Sequence, residues 1–255
     1  MKKIYCFVLM FAVVCMLQTP AWAAERAITV SAAMSLKNAF EEIGAVLEKQ
    51  KGIKVYFNFG ASGDLNRQIA AGAPADVYAS ASQKDMDDAE GKGMIVTLSK
   101  RTFASNSVVL IVPRDSKLGI NTFGDLSADK VGRIAICNPK TSPAGVYAED
   151  VLRYYKVGDR VADRIILGEN VRQVMDYVAR GEVDAGIVYA TDVLIRAKDV
   201  KAVMTASEAS HKPVVYPVAV VKSSPNMAAG KAFIDTVLSK EGQAILKKYG
   251  FSGVK

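Results

Sequence analysis

Short apolar runs alternate along the chain with longer stretches whose apolar residues return every three or four positions. The runs predict strands over 27–32, 54–59, 77–79, 107–112, 133–137, 185–189 and 214–221. The longer stretches predict helices over 36–50, 65–71, 83–92, 144–155, 171–180 and 227–249. Gly52, Gly72, Gly181 and Gly250 each follow a predicted helix, where a residue tolerant of positive φ closes the last turn. Strand and helix alternate without an internal repeat, so the expected class is α/β with mixed, mostly parallel sheets.

A chain of 255 residues exceeds the commonest domain size, and two lobes are expected. Two extended segments, 106–114 and 214–223, are suited to leave a first lobe and to return to it. The division predicted from them is a first lobe of 24–105 plus 216–255 and a second lobe of 106–215.

The first segment has its own pattern. Met1-Lys2-Lys3, an apolar run over 4–17, Thr19-Pro20 and then Ala21-Trp22-Ala23 have the layout of a secretory signal, with cleavage expected after Ala23 and export to the periplasm. The run is shorter than the ~20 residues a membrane span needs. Lipoprotein processing before Cys15 fits poorly, because bulky Val14 stands where a small residue is usual. Loss of the leader removes Cys6, Cys15 and Trp22, leaving Cys137 alone, unable to form an internal disulfide and expected as an inert thiol in a buried strand.

Charge and composition narrow the chemistry. Lys and Arg number 33 against 26 Asp and Glu, two of the lysines lie in the leader, and the rest are scattered. Nothing resembles a nucleic-acid footprint. His211, in Ser210-His211-Lys212-Pro213, is the one histidine and is expected to be solvated. No G-x-S-x-G elbow, GxGxxG or GxxxxGK[ST] occurs, and one histidine with one remaining cysteine makes no zinc or iron centre. No catalytic residue, metal ligand or cofactor is therefore assigned.

Several apolar strands instead run through small residues straight into helices. Ser31-Ala-Ala-Met-Ser35, Gly60-Ala-Ser62-Gly63, Thr141-Ser-Pro-Ala-Gly145 and Glu169-Asn170 each precede a helix. Pro143 suits a first helical turn and Asn170 suits an N-cap. Each junction presents unpaired N–H groups and the positive end of a helix dipole, and together they describe an anion site at the carboxyl ends of the strands.

The chain also resembles the periplasmic molybdate-binding proteins, the ModA-type solute receptors of ABC importers, over nearly all of its length after the leader. The likeness is carried by Ala32-Ala-Met-Ser-Leu36, Arg67-Gln-Ile-Ala-Ala-Gly-Ala-Pro-Ala-Asp76, Pro143-Ala-Gly-Val-Tyr147, Gly186-Ile-Val-Tyr189, Val214-Val-Tyr-Pro-Val-Ala-Val220 and Lys248-Tyr-Gly-Phe251. The resemblance implies a two-lobed periplasmic binding protein fold, a non-enzymatic receptor for molybdate and tungstate held in the cleft, and a membrane permease as partner. A monomer presents both lobes to such a permease most simply. It places the binding hydroxyls on Ser35 and Ser62, the main-chain amide donors on Ala144 and Val171, and a phenol donor on Tyr189, with no direct metal ligation. Where close relatives often carry a serine run, this chain reads Gly60-Ala61-Ser62-Gly63-Asp64, which brings a carboxylate near a dianion site.

Three rivals remain open on the sequence. A receptor for sulfate or phosphate would be favoured by Asp64 or Glu169 inside the cleft, since a protonated phosphate needs an acceptor. A hydrolase would use Ser62 as nucleophile and Asp64 as base. A receptor for acidic ligands or amino acids would turn Arg67 or Arg172 inward.

Overall fold

The computed structural model describes residues 26–253, and the leader over 1–23 with Cys6, Cys15 and Trp22 lies outside the described residues. In chain order the strands are β1 (Arg26–Ala33), β2 (Ile53–Gly60), β3 (Val77–Ala79), β4 (Arg101–Asn106), β5 (Val108–Pro113), β6 (Ile134–Cys137), β7 (Ile165–Gly168), β8 (Ala185–Tyr189), β9 (Val200–Thr205) and β10 (Val214–Val220). They form two sheets of five, ordered β2-β1-β3-β10-β4 and β7-β6-β8-β5-β9.

Each sheet is mixed, and in each a single strand opposes the other four. β10 is antiparallel to both its neighbours in the first sheet, and β5 is antiparallel to both of its own in the second. The remaining pairs, β1 with β2 and β3 and β6 with β7 and β8, are parallel. The opposing strand is in each case the one that has just arrived from the other sheet. Only Ser107 separates β4 from β5, and the return runs over 206–213 between β9 and β10.

The interior strands form because both their faces are covered, which turns alternation into continuous apolar runs. β6, β8 and β3 are buried at every position. Around the sheets lie α1 (Lys37–Lys51), α2 (Ser62–Ala70), α3 (Gln83–Gly91), α4 (Pro143–Tyr154), α5 (Gly158–Val161), α6 (Val171–Ala179), α7 (Ala190–Ile195), α8 (Met227–Leu238) and α9 (Lys240–Lys248). α1 ends on Gly52 at φ 62, a left-handed residue whose N–H returns to the Glu48 carbonyl.

The single helix expected over 227–249 is two, α8 and α9. Ser239 holds extended backbone at ψ 162, and its Oγ accepts the Gly242 N–H at 3.0 Å. A serine that caps a new helix cannot also continue the old one. The strands β4, β7 and β9 are additional to those the pattern predicts, and all three lie at sheet edges. β4 (Arg101-Thr-Phe-Ala-Ser-Asn106) and β9 (Val200-Lys-Ala-Val-Met-Thr205) mix polar residues through the strand, which thins the apolar signal, and in β7 the apolar run is only Ile165-Ile166-Leu167.

The main core runs through both sheets. One thread of it is aromatic, from Phe40 to Phe103 (5.6 Å between ring centroids), Tyr216 (6.2 Å), Tyr189 (6.2 Å) and Tyr147 (6.4 Å). This thread carries two phenols, on β8 and β10, to the space between the sheets. Cys137 is buried at the end of β6, and desolvation pushes its thiol up to about 12, against a smaller opposing effect from Ser142.

Candidate functional site

The four strand-to-helix junctions meet at one small cavity. After β1 the chain makes a 3-10 turn, Met34–Leu36, that carries Ser35 into α1. β2 enters α2 through Ala61, so that Ser62 is the first helical residue. Ser142 is the N-cap of α4 with Pro143 following, and Asn170 is the N-cap of α6. Tyr189 ends β8 and leads straight into α7.

Ser35, Ser62, Ser142, Asn170, Val171 and Tyr189 line this cavity, with small or apolar residues between them. Its cavity volume is about 10 Å³, against ~300 to 1,000 Å³ for pockets that take drug-sized molecules, so its walls exclude a sugar or a peptide and suit at most a small ion. Ala144 is not among the lining residues; it is buried one position inside α4, behind Pro143.

The polar groups at the cavity are arranged to donate. Ser62 Oγ accepts the Ala81 N–H at 3.0 Å, which leaves its own proton for another acceptor. Tyr216 Oη accepts from Asn106 Nδ2 at 3.1 Å and lies 3.0 Å from Ser35 Oγ. With the Tyr216 hydroxyl donating to Ser35, the Ser35 proton is likewise free. Tyr189 Oη is buried without a hydrogen-bond partner. Desolvation first, and then the neighbouring Tyr216, hold that phenol well above its ordinary pKa, so it remains a donor at any physiological pH. The amides of Ser62, Ala144 and Val171 stand in first helical turns and have no hydrogen-bond acceptor among the described residues.

No carboxylate lines the cavity. Asp64 does not cap α2, whose N-cap Ala61 has no side-chain bond, and pairs instead with Arg67 one turn on. Glu169 is exposed, and its N–H donates to the Gln173 side chain at 2.6 Å. Asp192, the third residue of α7, is fully buried and accepts the Tyr189 N–H at 3.3 Å. Desolvation raises it to about 6, with Arg172 opposing.

Neither arginine turns inward: Arg67 reaches Asp64 and the Lys140 carbonyl, while Arg172 reaches Asn38 and Asp192. His211 is half-buried rather than solvated, with its ring 5.6 Å from that of Tyr147 and Nδ1 2.7 Å from the Lys212 carbonyl. Among the described residues no group of three His, Cys, Asp or Glu side chains could hold a metal ion.

The two sides of the cleft touch at Gly63. A Cβ there would lie 2.6 Å from the Thr141 carbonyl oxygen, inside any tolerable contact, so the approach depends on the missing side chain. Two expected junction residues and three that the sequence did not single out complete the site. Ser142 and Asn170 supply wall as well as caps, and Tyr216, Asn106 and Thr191 form a hydrogen-bonded relay behind Ser35. Tyr216 stands in a buried strand motif, and nothing local in the sequence distinguishes its hydroxyl from that of any core tyrosine.

Comparison with known proteins gives a consistent result. Residues 28–252 match the family described as bacterial extracellular solute-binding protein. The chain is 41% identical over 236 residues to the molybdate-binding protein ModA of Escherichia coli (strain K12), covering 91% of each chain. Among solved structures, the substrate-binding domain of a putative molybdenum ABC transporter from Clostridium difficile superposes with a TM-score of 0.69 at 35% identity, covering 90% of this chain and 99% of that one. The periplasmic molybdate-binding protein of Azotobacter vinelandii superposes with a TM-score of 0.81 at 24% identity, covering 89% and 100%, and supports the fold.

Proposed function

We propose, for a chain that belongs to the bacterial extracellular solute-binding protein family and within it to the ModA molybdate-binding proteins, that the cavity between the sheets holds molybdate for delivery to an ABC importer. It is a receptor and not an enzyme. The observation that carries the reading is a small cavity lined by hydroxyl and amide donors, with no carboxylate in its wall and a buried phenol, Tyr189, that has no partner of its own.

Molybdate near neutral pH is a dianion whose every oxygen accepts. A site that offers donors only suits it, and neutral donors at helix starts stabilise the charge without a counter-ion. In this reading Ser35, Ser62 and Tyr189 donate hydroxyls and Ala144 and Val171 donate amides. Tungstate has the same charge and shape and is expected to bind as well. Sulfate is smaller and cannot reach donors from both sides at once, and a protonated phosphate lacks the acceptor it needs. The position of Asp64, paired with Arg67 away from the cavity wall, supports the same choice. It also removes the base that a Ser62 hydrolase would require.

The remaining features follow from this reading. The two lobes, 24–105 with 216–255 and 106–215, would close on the anion and present a joint surface to the permease. Cleavage after Ala23 would release a monomer into the periplasm. Binding stabilises the fold by mass action, by ~2.7 kcal/mol at free ligand one hundred times the dissociation constant. A thermal melt therefore tests the ligand: molybdate should raise Tm, and an upward shift with sulfate but none with molybdate would overturn the assignment.

A further inference from the structure

Arg172 was a candidate to face an acidic ligand, yet its guanidinium is committed elsewhere. It follows Val171, a residue of the cavity wall, and its N–H is capped by the Asn170 side chain at 3.0 Å. Its Nε lies 3.5 Å from Asp192 Oδ1, and neither atom has any hydrogen-bond partner besides that ion pair. Asp192 in turn accepts the Tyr189 N–H. Arg172 and Asp192 therefore brace two of the second-sheet elements that line the cavity, the start of α6 and the end of β8, the start of α4 being the third.

From the same guanidinium, Nη2 donates to Asn38 Oδ1 at 3.0 Å. Asn38 lies on α1, three residues after Ser35, and α1 packs on β2 of the first sheet. The bond thus crosses the cleft beside the site. We propose that Arg172 is a positioning residue that latches the closed cleft, joining the Tyr189 and Val171 side through Asp192 to the Ser35 side through Asn38. This rests on the reading of an anion held between two lobes.

The latch separates into two halves with different consequences. The ion pair to Asp192 lies within the second-sheet half and persists whether the cleft is open or shut. The bond to Asn38 exists only when it is shut. Loss of Asn38 should therefore leave ligand entry alone and speed ligand escape, since interactions made after encounter set the off-rate. Asn38 is half-buried on a helix surface, so Asn38→Ala is expected to fold. Arg172→Lys keeps a positive charge beside Asp192 and loses the fork that reaches both partners.

Stopped-flow tyrosine fluorescence with molybdate should show koff about ten-fold higher in Asn38→Ala with kon and ligand-free Tm unchanged, the size expected for a half-exposed hydrogen bond to a charged group. Arg172→Lys should raise koff similarly, and the double variant no further. Wild-type koff in Asn38→Ala, or additive increases in the double variant, would overturn the latch. Failure of the wild-type protein to bind molybdate would instead refute the ligand assignment. The latch is then decided by the same comparison with whichever of tungstate, sulfate or phosphate the wild-type protein binds, where equal koff in the wild type and Asn38→Ala would overturn it.

Discussion

Tyr189→Phe separates a ligand donor from a core tyrosine by the sign of two effects. The hydroxyl is buried and unpartnered, while the ring packs against Tyr147 and Tyr216. Leaving a buried polar group unsatisfied costs about 1 to 3 kcal/mol, so its removal relieves the ligand-free protein by up to that amount. At ~2 to 4 °C per kcal/mol for a protein of this size, Tm without ligand should stay level or rise by several degrees. The bound anion, in contrast, loses a hydrogen bond to a charged acceptor, a loss of about 1.5 to 3 kcal/mol. The dissociation constant should therefore rise by about ten- to one-hundred-and-fifty-fold. Differential scanning calorimetry reads the first effect and isothermal titration with molybdate the second. Wild-type affinity, or a ligand-free Tm lowered by more than about 2 °C, would refute the assignment of Tyr189 as a donor to the anion.

Other residues give contrasting signatures. Ser62→Ala removes a donor and also the acceptor of the Ala81 N–H, so affinity should fall by about ten- to one-hundred-fold and stability by about 1 to 2 kcal/mol together; an unchanged melt would contradict the Oγ contact. Gly63→Ala forces a methyl against the Thr141 carbonyl across the cleft, so titration should show molybdate affinity weakened by roughly ten-fold while the ligand-free melt is preserved. Asp192 binds its proton more tightly folded, at about 6, than unfolded, at 3.8, so its contribution to stability falls as pH rises through that window. Urea titrations from pH 4 to 6 should show that decline in the wild type and lose it in Asp192→Asn; parallel curves would contradict the burial of a titrating carboxylate.

How much of this was legible in the sequence depends on how local each signal is. β6 and β8 are fully buried and stand out as unbroken apolar runs, whereas β9 lies at a sheet edge and is interrupted by Lys201 and Thr205, which leaves no such mark. The break at Ser239 lies inside an otherwise continuous helical pattern, and only the hydroxyl's bond to Gly242 decides it. Ser35, Ser62 and Asn170 could be found because a small polar residue between strand and helix is itself the signal for exposed amides. The relay from Ser35 through Tyr216 and Asn106 to Thr191 could not, since its members lie far apart in the chain and meet only when both sheets are formed. The same is true of Arg172, whose partners Asn38 and Asp192 come from different helices. The Asp64 carboxylate was a concern from position alone; its pairing with Arg67 within one helix turn turns it away from the wall.

The most direct test of the oxyanion site is calorimetric titration of the protein without its leader against molybdate, tungstate, sulfate and phosphate in one buffer. Saturable one-to-one binding of molybdate and tungstate, with sulfate and phosphate at least a hundred-fold weaker, is the expected result. Sulfate or phosphate binding as tightly as molybdate would contradict selection by a donor-only cavity of this size.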